Sequence, residues 1–212
     1  QSDKYGTEMQ TATTPRIKSW FKVVSVNGHT LELDSPLPLP ANPRWKPTLM
    51  KVPHLQNCIV DGFQFEFIES KYPGHLKERG HNCISVSSTV ESKIANITTT
   101  FADSGIFLNN CGFVTIENVE THGRFMHHPI SLSYSSHCLV KNFELNAPHI
   151  HGTTISWGSH FNVFVNGKGN ALAMDSHRAC SFRNLHQNIL VQHGNVPKQP
   201  LRSGGSYNRG LH

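Results

Sequence analysis

A chain of 212 residues with 37% hydrophobic and 16% charged residues is long enough for one sizeable core and too poor in charge for a coiled coil or a charge-rich disordered tail. Lys and Arg outnumber Asp and Glu by 19 to 14, and 15 His add charge below about pH 6.5, so an anionic partner is favoured. The cations are scattered and form no run of the kind that grips phosphates, which argues against nucleic acid, and no apolar stretch approaches the ~20 residues of a membrane span.

In chain order, Phe21 to Val26, Asn27-Gly28 and Thr30 to Leu33 read as a β-hairpin, with Asn-Gly supplying a two-residue turn of positive φ. Pro36 to Pro53 is a Pro-rich irregular connection, so residues 1–54 form an N-terminal section ahead of the repeats. Five Cys (Cys58, Cys83, Cys111, Cys138, Cys180) lie among apolar neighbours with no CxxC. They exclude a zinc ribbon or thioredoxin site and suggest buried free thiols, with a single disulfide as the alternative.

From residue 55 to 194 one pattern recurs: an apolar residue, any residue, Asn or once Gly, then an apolar residue. The third positions are Gly62, Asn96, Asn118, Asn142, Asn166 and Asn184, at steps of 34, 22, 24, 24 and 18. The fifth copy ends imperfectly, in Gly167. Twelve residues upstream of the five Asn lie Ile84, Ile106, Ile130, Thr154 and Leu172, most of them starting a short alternating strand. Short strands in units of ~22 residues with no helix between them predict an all-β chain wound as a right-handed parallel β-helix, with the Asn markers stacked as a ladder. The step of 34 holds an insertion, Glu69 to Gly80, whose Pro73-Gly74 marks a loop thrown off the solenoid, a usual place for function. Residues 195–212 read as the start of a further coil or a tail. Their lack of a strand or cap, with the start at Gln1 and no initiator Met, suggests part of a longer chain or of an assembly. Asn96-Ile97-Thr98 is an N-glycosylation sequon.

Constant phase predicts columns along the stack. Fifteen residues before the markers stand His81, Asp103, His127, His151 and Gly169; nine before them stand Ser87, Asn109, Ser133, Trp157 and Asp175. Coils ~4.8 Å apart would place neighbours in a column within hydrogen-bond reach, and strand parity turns the first column outward. Arg124, His128, His149, His160, Lys168, His177 and Arg178 fall nearby, giving a His-rich, basic groove with a sugar-stacking Trp. Acidic residues are too sparse to predict a Ca²⁺ site, and direct acid–base use of the His is preferred to a metal, so no cofactor is expected.

The stretches "YPGHLKERGHNCISV", "ADSGIFLNNC", "RFMHHPISLSYSSHCLVKNFEL", "IHGTTISWGSHFNVFVNGKG" and "DSHRACSFRNL", covering the chain from about Trp20 onward, resemble the pectate-lyase-like parallel β-helix proteins, closest to a secreted group of polysaccharide-degrading enzymes. The resemblance implies the fold, a secreted or cell-surface location and a carbohydrate substrate. His127, His128, His151, Asp175, His177 and Arg178 are the positions characteristic of that group.

A glycoside hydrolase needs two carboxyls ~5 to 9.5 Å apart, whereas Asp103 and Asp175 would lie three coils, ~14 Å, apart. β-Elimination of an acidic, uronate-containing polysaccharide needs a base, an acid and a cation instead. The expected roles are His127 or His151 as base, Asp103 orienting the His column, Arg124 or Arg178 neutralising the uronate carboxylate, and His177 as acid. His81, Asn109, His128, Trp157, His160, Lys168 and Asp175 are expected to bind substrate. A non-catalytic glycan-binding or assembly module is the alternative, and a glycoside hydrolase the third reading.

Overall fold

The computed structural model describes residues 17–177 and 181–192. A hairpin of β1 (Val23–Asn27) and β2 (Thr30–Leu33) comes first. Asn27 pairs with Thr30, so the two-residue turn is Gly28-His29, one residue later than the Asn-Gly reading, with the positive φ (58°) on Gly28. A glycine first in the turn matches the right-handed twist of the strands.

The rest is a parallel β-solenoid of about five turns, and of the described residues 52% are strand and 2% helix. One sheet stacks β4 (Ile59–Asp61), β8 (Lys93–Thr100), β10 (Thr115–His122), β12 (Leu139–Leu145), β14 (Val163–Asn170) and β16 (Leu185–Gln192), with β5 (Gln64–Glu66) also on β8. A second stacks β6 (Asn82–Ser87), β9 (Ser104–Asn109), β11 (His128–Ser133), β13 (Thr153–Ser156) and β15 (Met174–His177), and the short strands β3 (Leu55–Gln56) and β7 (Thr89–Val90) pair apart from both. Among the described residues no helix is long and apolar enough to cross a membrane.

Alternation along each strand turns one set of side chains inward. Ile94, Ile116, Val140 and Phe164 form one buried column, and Ile106 stacks on Ile130. Gly167 occupies a position where the other markers are followed by a bulky residue because a Cβ there would sit 2.0 Å from the Phe143 ring, whose side chain already fills the space. Cys111 and Cys138 are buried and Cys58 and Cys83 half-buried, all four with free thiols; Cys180 lies outside the described residues.

The Asn marker is explained by backbone conformation as well as by its amide. Asn96, Asn118, Asn142, Asn166 and Asn188 all have φ between 53° and 56°, and Gly62 has 78°. Asn and Gly tolerate this left-handed region best. Each marker bends its strand, and most of the amides join rung to rung: Asn118 donates to Asn96 at 2.8 Å and Asn188 to Asn166 at 2.8 Å. The last rung is therefore Asn188, not Asn184, which instead accepts from the Asn162 amide at 2.9 Å in a neighbouring column. The sequon residue Asn96 sits within the ladder and donates to Asp61 at 2.7 Å.

Substituting Asn142 separates the two causes. Asn142→Ala should cost about 1 to 2 kcal/mol, the strain of an L-residue at φ 55°, whereas Asn142→Gly should cost only a few tenths. Urea titration of the two variants checks this, and equal losses would assign the ladder's worth to the amide alone.

Candidate functional site

The expected column forms through His81, Asp103 and His127, and His151 follows one residue out of phase, opposite His128. The Asp103 N–H donates to the His81 carbonyl at 2.7 Å, His127 to Asp103 at 2.7 Å and His151 to His127 at 3.0 Å, one rung per coil. Leu172 or its neighbours, not Gly169, continue it, since Thr153 pairs with Met174. The column is not open to solvent as parity suggested: Asp103 and His151 are buried. The insertion at residues 69–80 is the cover. It folds back over the column and brings Tyr72, His75 and Glu78 into the site, three residues that the spacing could not place.

Asp103 anchors this cover. One oxygen accepts the backbone N–H groups of Gly80 and His81 at 3.0 and 2.9 Å. The other accepts Arg124 Nη2 at 2.7 Å, with the two side chains only 1% and 9% exposed. Burial opposes ionisation of Asp103, but the Arg124 guanidinium and the backbone donors outweigh it and hold the carboxyl below its ordinary range. Arg124 lies 5.9 Å from the Tyr72 ring centre, and Tyr72 packs on Phe125 at 5.3 Å.

Around this anchor five imidazoles touch. Ring centres are 4.1 Å apart for His127 and His128, 4.6 Å for His128 and His151, 4.8 Å for His151 and His177, and 4.7 Å for His75 and His127. His127 Nδ1 lies 3.1 Å from Glu78 and His151 Nδ1 lies 2.7 Å from Asp175, while His177 Nδ1 is 3.5 Å from the same Asp175 oxygen. Glu78 also accepts the Tyr72 hydroxyl. His128 meets the Thr154 hydroxyl at 2.9 Å.

Burial, with a smaller contribution from neighbouring imidazoles, lowers His127 to about 4 despite the opposing charge of Glu78, and lowers His128 to about 2. Both rings are neutral at neutral pH. Burial also raises the Tyr72 phenol well above its ordinary value, with Glu78 adding to the shift, so it stays protonated. Glu78 itself is held below the usual carboxylate range: burial opposes this, but the Tyr72 hydroxyl, backbone donors and His127 prevail.

The structure thus gathers Asp103, Arg124, His127, His128, His151, Asp175 and His177, with His81 one coil away, stacked on Phe67 at 5.2 Å. Other expected site residues lie elsewhere. Ser156, not Trp157, pairs with Ser133, so Trp157 stacks on Tyr134 at 5.7 Å; Asp175 pairs with Thr154, and His177 takes the place expected for Asp175. Asn109 stands beside Ser133 at the far end of the same sheet. Lys168 is on the other sheet, paired with Glu144 at 2.9 Å, beside a shallow groove of about 500 Å³ along the Asn ladder. His160 is fully buried against Phe182 and bonded to the Ser19 hydroxyl at 2.6 Å. Arg178 lies outside the described residues.

No protein-family model, curated protein or solved structure matches the chain.

Proposed function

We propose that the chain is a pectate-lyase-like β-helix enzyme, acting outside the cell, that cleaves a uronate-containing polysaccharide by β-elimination at the histidine cluster. The observation that carries this reading is the state of the site's acids. Glu78, Asp103 and Asp175 are each already bonded to a Tyr, His or Arg partner, which leaves no pair of free carboxyls to flank a glycosidic bond. His127 and His128 are neutral imidazoles and Tyr72 is a protonated phenol, groups of the kind an elimination uses.

The geometry favours a different division of labour from the one expected. His127 and His151 are 13% and 8% exposed beneath the loop, whereas His177 is 37% exposed with Asp175 behind its Nδ1. His177 takes the C5 proton, the electron pair forms the C4–C5 double bond, the C4–O bond breaks, and the Tyr72 hydroxyl protonates the leaving oxygen. Arg124 and Asp103 are positioning residues, because the guanidinium is consumed by the carboxylate and the pair fixes the loop that carries Tyr72.

Alginate, glucuronan and pectate, followed by the ultraviolet absorbance of the unsaturated product, form the test. Turnover on one of them is expected, with His177→Gln and Tyr72→Phe each lowering kcat about 100-fold. A folded protein silent on all three polymers overturns the reading. The groove along the Asn ladder favours a second one, a glycan-binding module, which predicts polymer binding without product and unaffected by His177→Gln.

A further inference from the structure

β-Elimination at a uronate needs positive charge against the carboxylate, and Arg124 is not free to supply it. Three imidazoles of the cluster are arranged to hold a cation instead. His75, His127 and His151 each offer one ring nitrogen, and the three nitrogens lie within 4.8 Å of one another. A carboxylate only accepts hydrogen bonds, so Glu78 and Asp175 keep the proton on Nδ1 of His127 and His151 and leave the lone pair on Nε2. A carboxylate behind a histidine is the arrangement that fixes the tautomer and raises the basicity of metal-bound imidazoles, and here it occurs twice, on adjacent coils.

We infer that His75, His127 and His151 form a binding site for a borderline divalent metal ion, Zn²⁺ or a close relative, with the fourth position open to solvent and substrate. An all-nitrogen set suits Zn²⁺ and its transition-metal neighbours and does not suit Ca²⁺ or Mg²⁺, which require oxygen. Zn–N bonds of about 2.0 to 2.1 Å put tetrahedral nitrogens about 3.4 Å apart, so the site contracts on loading. His75, exposed and on the covering loop, is the ligand able to move. A second observation points the same way. Asp175 is fully buried, and its Oδ1 has no hydrogen-bond partner among the described residues; a cation on the far side of His151 offsets that buried negative charge. A competing set, His151, Asp175 and His177, shares His151 and would make Asp175 a direct ligand. The binding itself does not depend on the lyase reading; only the use of the ion's charge against a uronate carboxylate rests on it.

The full chain, stripped with a chelator, is titrated with Co²⁺ and then Zn²⁺, following the visible bands of four-coordinate Co²⁺ and the melting temperature. One equivalent should bind and raise the melting temperature. His75→Ala, on an exposed loop position that leaves the core intact, and His127→Ala should each weaken binding at least about 100-fold. Asp175→Asn should weaken it about 10- to 100-fold without abolishing it, and His122→Ala, at an exposed imidazole outside the cluster, should change nothing. No binding by the unaltered chain overturns the inference. So does binding indifferent to His75→Ala but abolished by Asp175→Asn, which would place the ion on the competing set. Metal binding without product on any uronate polymer removes the lyase reading and keeps this one, whereas product from stripped protein that binds no metal does the reverse.

Discussion

Asp103→Ala should cost about 3 to 5 kcal/mol of folding stability, because it strands Arg124 as an uncompensated charge in a buried place. The guanidinium is 9% exposed, and among the described residues its Nη1 reaches only the Phe125 carbonyl at 3.0 Å and its Nε has no partner. The same substitution frees the N–H groups of Gly80 and His81, where the covering loop rejoins the first rung of the His column. Proteolysis within residues 69–80 should therefore become faster than global unfolding allows, and any activity should fall more than stability alone explains. The double variant Asp103→Ala with Arg124→Met removes the stranded charge as well and should recover part of the stability, though not the loop. Chemical denaturation of the three proteins measures the first effect and limited proteolysis the second. A loss below about 1 kcal/mol for Asp103→Ala would mean that water reaches the guanidinium, as at an exposed ion pair.

The winding was legible because its cause is local. A left-handed residue once per coil selects Asn or Gly, and flanking apolar residues fill the core, so the period is written into the chain between Gly62 and Asn166. The last rung was misplaced because Phe182-Arg183-Asn184-Leu185 imitates the pattern, while Asn188 is preceded two residues earlier by His186 instead of an apolar residue. Column positions drifted for a related reason. Ile130 pairs with Thr153, 23 residues on, whereas Val140 pairs with Phe164, 24 residues on; the turns between sheets absorb the difference, so counting back from the Asn marker fails by one at Trp157 and misaligns Asp175. The alignment held at His81, Asp103 and His127, whereas Met126 pairs with His149 and Ile130 with Thr153, an offset of 23 that sets His151 opposite His128. The covering loop could be seen as an insertion, but nothing in its spacing says that it turns back along the stack instead of away from it. Tyr72, His75 and Glu78 were invisible for that reason.

Acid should unfold this protein unusually early, and His160 should account for a large part of the effect. Its ring is fully buried, stacked on Phe182 at 4.9 Å, with Nδ1 at 2.8 Å from the Gly158 carbonyl and Nε2 at 2.6 Å from the Ser19 hydroxyl. Gly158 accepts from Nδ1–H, and because burial keeps the ring neutral at pH 7, Nε2 accepts from the Ser19 hydroxyl. Burial lowers its pKa to about 4, against the pull of the Gly158 carbonyl and with smaller contributions from His137 and Arg183. An unfolded histidine titrates near 6.5, so between these two values the unfolded chain binds a proton that the folded one refuses. Stability contributed by the neutral ring is complete above about pH 6.5 and falls as the pH drops to about 4, a loss of roughly 3 kcal/mol. His127 and His128, lowered to about 4 and about 2, and His137 and His149, also lowered by burial, add to it in the same direction. His160→Gln should cost about 1 to 2 kcal/mol at pH 7.5 through its poorer hydrogen bonds, yet lose about 3 kcal/mol less than the unaltered chain between pH 7.5 and 4, so the two stability curves converge or cross. Urea midpoints at four pH values across this range measure the difference. Parallel curves would show that Nε2 already carries a proton in the folded state and that Ser19 accepts from it.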